Sequence, residues 1–97
     1  MKKAFSLFEQ GISIEDVAAQ IDRARSTTSG YLASYISEHE VTDPSPWVDA
    51  DQIPMIHAAA EEVGSLERLA PIKEIVGDDI SYEQLRAVIE CLKVETR

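Results

Sequence analysis

Cysteine is nearly missing: of 97 residues only Cys91 carries a thiol, which excludes an internal disulfide and any zinc site built on cysteines. Cys91 sits between Ile89 and Leu92 with no base beside it, so a passive thiol is expected rather than a nucleophile. Histidine is scarce too. His39 and His57 have no ligand pattern around them, and they are expected at a helix C-terminus and on a partly exposed helix face rather than on a metal. No stretch approaches the ~18 consecutive apolar residues of a membrane span. The opening MKKAFSLFEQ also lacks the apolar run and small-residue cleavage site of a secretory signal, so a soluble cytoplasmic protein with no membrane partner is expected. Neither a G-x-x-x-x-G-K-[ST] loop nor another glycine-rich loop is present, and no nucleophile, base and orienting group can be assembled. The expectation is therefore a chain that is not an enzyme, with no catalytic residues and no cofactor.

Positive charge is also in short supply, with 9 bases against 18 acids and a net charge of −9. Such a balance argues against nucleic acid until its distribution is considered. Through Ile36 there are four bases and four acids, whereas five bases face fourteen acids after it. A phosphate backbone can thus meet the first part, although long-range attraction would be weak and easily screened by salt.

Ninety-seven residues make one domain or two small subdomains sharing a core. The pattern divides into 1–40, a linker at 41–50 marked by Pro44 and Pro46, and an acidic helical part at 51–97. No segment sustains period-two alternation, so the fold class is all-α, a three-helix core followed by about three further helices. Phe5 and Phe8 are expected in the core, and Trp47 is expected to pin the linker to the body. Asp51 should cap the fourth helix, because that start keeps Pro54 in the tolerant first turn. Gly64 and Gly77 should end the fourth and fifth helices, Ser81 with Gln84 should cap the last one, and Glu61 and Glu62 read as a solvated face.

The stretch ISIEDVAAQIDRARSTTSGYLASYI, from Ile12 to Ile36, reads as two helices joined by a tight turn. Ser13 and Asp16 form a capping pair at the first start, and Asp22 stands where the turn needs a left-handed residue. Thr28, Leu32, Tyr35 and Ile36 share one side of the second helix, which begins between Arg25 and Thr27. Its other side, Ser26, Ser29, Gly30, Ala33, Ser34 and Ser37, is expected to face outward. A face with almost no bulk and no carboxylate suits close approach to a partner. Arg23 is placed for phosphate, Arg25, Ser26 and Ser29 for a groove or strand backbone, Thr27 beside them for nucleic acid as well, and Tyr31 for a stacking or phosphate contact.

The segments AFSLFEQGISIEDVA, STTSGYLASYI and LERLAPIKEIVGDDISYEQLRAVIE resemble the helix-turn-helix domain at the C-terminus of RecQ-type DNA helicases and related bacterial proteins. Ala18 falls at the small-residue position of such motifs, and Thr27 and Leu32 fall on their T-x-x-x-x-L spacing. Asp22 replaces the usual turn glycine, Arg23 and Thr28 replace aliphatics, and Tyr31 stands where histidine is frequent. What the resemblance implies is an accessory DNA-binding domain, with DNA and helicase core domains as partners. A rival reading uses the same helix face for a protein partner or a homodimer.

Overall fold

The computed structural model describes residues 2–97, apart from the side chain of Lys2. All regular structure among them is helical: α1 (Lys2–Glu9), α2 (Ile14–Ile21), α3 (Arg25–Glu38), α4 (Gln52–Val63), α5 (Leu69–Val76) and α6 (Tyr82–Glu95). None of these helices is long and apolar enough to cross a membrane.

Local chemistry sets most of the boundaries. At α6 the hydroxyl of Ser81 accepts from the Gln84 amide at 3.2 Å, and the Gln84 side chain accepts from the Ser81 amide at 2.9 Å. Both halves of the capping box are therefore made. At α2 only the first half forms, with Ser13 accepting from the Asp16 amide at 3.2 Å. The side chain of Asp16 is one methylene shorter than that of Gln84. Asp51 precedes α4 and leaves Pro54 in the first turn as expected, but its side chain makes no cap bond. Gly64 ends α4 with φ 76°.

Asp22 closes α2 in the left-handed region, φ 56° and ψ 52°, and its amide donates to the Ala18 carbonyl. An L-residue bears a steric cost of ~1–2 kcal/mol there, only partly relieved for aspartate. Asp22→Gly should therefore stabilise the protein by about 0.5 kcal/mol, read as a higher urea midpoint with unchanged slope.

Helices α1 to α3 pack on one another, α4 and α5 pack on α6, and the broadest contact of all joins α3 to α6. One core results, with Phe8, Val17, Leu32 and Ile36 from the first half touching a cluster that includes Ile56, Ile72, Leu85 and Ile89 from the second. The 41–50 segment folds back onto this core. The Pro44 carbonyl accepts from the amides of Trp47 and Val48. The Trp47 ring then lies 6.1 Å from Phe8 and 6.2 Å from Tyr35, edge-on to both, so it pins the segment as expected. Phe8 is buried, and Phe5 is half-buried with its ring 5.4 Å from that of Tyr35. His39 is the exposed C-cap of α3, and His57 is exposed on α4.

Cys91 is 2 % exposed. Burial first, then the charges of Asp43, Glu90 and Glu95, push its thiol up to about 12 from 9.0. The neutral thiol is thus favoured by folding, and the associated stability is complete below pH 9.0 and lost as pH rises towards 12. At pH 8 an aromatic disulfide reagent should leave Cys91 unlabelled until denaturant opens the fold.

One expectation about α3 is overturned. Ser29 and Ala33 do not face outward: they are 6 % and 7 % exposed, because α6 packs along that flank. With Thr28, Leu32, Tyr35 and Ile36 also buried, the covered arc of α3 is wide. The hydroxyl of fully buried Thr28 donates to the Ala24 carbonyl at 2.9 Å, which lets a polar residue stand in an aliphatic's place. Ser26, Thr27, Gly30 and Ser34 keep access to solvent.

Candidate nucleic-acid interface

The start of α3 differs from the starts of α2 and α6. Ala24 occupies its N-cap without a side-chain acceptor, and no acid lies in its first turn, whereas α2 and α6 have serine caps and first-turn acids. The free first-turn amides and the positive end of the helix dipole thus remain available to an anion. Arg23, Arg25, Ser26 and Thr27 are all exposed here.

On one flank, Arg23 and Tyr31 meet Lys3 of α1 around a groove of about 220 Å³, whose wall is completed by Ala4 and Ile21. The Lys3 ammonium donates to the Gln20 carbonyl at 3.3 Å, and the Arg23 guanidinium donates to the Asp22 carbonyl at 3.2 Å. Neither cation has a carboxylate partner among the described residues. Two cations and a phenol, supplied by α1, the turn and α3, therefore face one shallow concavity. That donor set suits a phosphate, since ammonium, guanidinium and phenol hydroxyl can all donate to its oxygens.

The other flank was invisible in the sequence. Arg25 reaches α6, where its guanidinium donates to the Glu83 carboxylate at 3.1 Å with its side chain still 55 % exposed. Beside this pair, Ser26 and Ser29 of α3 share a cleft with Leu69, Tyr82, Glu83 and Arg86. Arg86 has no hydrogen-bond or ion-pair partner among the described residues. Ser29 therefore lines this cleft rather than an open helix face.

The candidates divide accordingly. Arg23, Arg25, Ser26, Thr27 and Tyr31 surround the exposed start of α3, and Ser29 stands largely behind them under α6. Lys3, Tyr82 and Arg86 join this surface although sequence reasoning passed over them. Lys3 had a signal, as one of only four bases before Ser37. Tyr82 and Arg86 had none, because their place depends on how α6 docks.

Comparison with curated proteins and with solved structures returned no match. Residues 1–89 match the helix-turn-helix domain family, and since that match spans α1 through most of α6, the chain belongs to this family.

Proposed function

We propose that this domain is a non-enzymatic DNA-binding module, acting as an accessory domain of a RecQ-type DNA helicase and contacting DNA through the start of α3. The observation that carries the reading is a gathering of cations. Lys3, Arg23, Arg25 and Arg86 come from four segments of a chain with net charge −9, yet all surround one helix start in a helix-turn-helix fold. In this reading the Lys3, Arg23 and Tyr31 groove seats a backbone phosphate, and Ser26 and Thr27 approach the bases. Arg25, more than half exposed while it pairs with Glu83, adds its remaining donors to the phosphate contact. The helicase context rests on the sequence resemblance alone. The protein-partner alternative is weakened because α6 already covers Ser29 and Ala33, the part of the smooth face best suited to packing.

Fluorescence anisotropy of a labelled blunt duplex across a salt series tests this. One phosphate in the Lys3 and Arg23 groove and one each at Arg25 and Arg86 correspond to a slope of about −2.7 in log affinity against log salt, or roughly a 40-fold loss between 50 and 200 mM. Glu83→Gln should strengthen binding by freeing Arg25. Absence of binding at the lowest salt, or a slope near zero, rejects the reading.

A further inference from the structure

Tyr82 is an aromatic residue out of place in a solvated surface. It is 53 % exposed, ahead of Met55 at 50 % and Ile75 at 46 %, although Leu69 and the α3 flank lie beside it. Lys73 holds the ring from one side, with its ammonium 5.7 Å from the ring centroid. The same ammonium donates to the Gly77 carbonyl at 2.7 Å and lies 3.8 Å from Asp78, so it is an anchored group. The ring thus has a cation at one side and part of its surface open to the cleft.

Around that surface the chemistry is mixed. The cleft encloses about 210 Å³, below the ~300 Å³ at which small-molecule pockets usually begin. It suits one planar ring better than a whole nucleotide. Leu69 supplies an apolar wall, and Ser26 and Ser29 supply hydroxyls that can donate or accept at a base edge. Arg86 supplies a cation without a partner, while the Glu83 carboxylate is already taken by Arg25. In a half of the chain with fourteen acids against five bases, this patch has a free positive charge next to an open aromatic ring. Aromatic rings beside cations are how proteins hold single-stranded nucleic acid: the ring stacks a base and the cation meets its phosphate.

We propose that the cleft between the starts of α3 and α6 receives one unpaired nucleobase, stacked on Tyr82, with Arg86 on the adjoining phosphate. The inference rests on the DNA-binding reading and adds to it a preference for duplex carrying an unpaired strand. A base still paired in duplex cannot enter, because its faces are covered by its neighbours.

The test compares a blunt duplex with the same duplex bearing a short single-stranded overhang, whose first unpaired position is 2-aminopurine. The wild-type protein should bind the overhang substrate roughly tenfold more tightly and change the 2-aminopurine emission. Tyr82→Ala should abolish both effects, Tyr82→Phe should retain them, and Arg86→Gln should reduce the preference. Circular dichroism of each variant should match wild type, since both side chains are exposed. Equal wild-type affinity for the two substrates overturns the proposal, as does an equal loss on both in Tyr82→Ala. Self-association lost in Tyr82→Ala with DNA binding unaltered also overturns it, in favour of a second copy of the chain. The two readings fail separately. Blunt-duplex binding without an overhang preference removes only the base site, whereas Tyr82-dependent binding of a single strand alone removes only the duplex reading.

Discussion

Ser29→Leu should destabilise the protein by roughly 2–3 kcal/mol, whereas Ser26→Leu, one turn position away, should stay within about 0.5 kcal/mol of wild type. Both serines lie on the small-residue side of α3, and an outward-facing side would treat them alike. In the structure Ser29 is 6 % exposed under α6, while Ser26 remains open at the cleft rim. Leucine at Ser29 must push α6 away from α3, and with it the α6 core residues Leu85 and Ile89, which are 0 % and 1 % exposed. A close-packed interior gives little room for that movement. Urea unfolding of the two variants reads the difference, and equal stabilities would mean that α6 does not dock on α3.

The second large effect concerns binding. Lys3→Ala and Arg23→Ala should each weaken duplex binding about tenfold and lower the salt slope by about 1. The double variant should lose less than the product of the two, because both side chains hold the same phosphate together and removing either already loosens that contact. Neither substitution should move stability by more than about 0.5 kcal/mol, since each cation bonds only an exposed backbone carbonyl. Anisotropy titrations checked against urea midpoints separate loss of contact from loss of fold. Unchanged affinity in the double variant would leave the groove without a role.

How legible this was in the sequence depended on range. The caps Ser13 and Ser81, the stops Gly64 and Gly77, and Pro54 in a first turn act over a few residues, and their effect could be read directly. Leu32, Tyr35 and Ile36 stood out as core because they repeat at helical spacing. The second buried flank of α3 did not, since it is made of Ser29 and Ala33, which leave no apolar signature. Only the arrival of α6, more than 50 residues later, defines it. Arg25 with Glu83, and Ser26 with Tyr82 and Arg86, are long-range pairings of the same kind. The surface chemistry of the motif therefore had to await the docking of the acidic half, although its helices did not.

Backbone amide shifts on titrating the isotopically labelled chain with a short duplex at low salt test the central claim most directly. Shifts are expected to gather at Lys3, Arg23 to Thr27, Tyr31 and Arg86, with α4 from Gln52 to Val63 unmoved. Shifts centred on α4, or none at any duplex concentration, would contradict it.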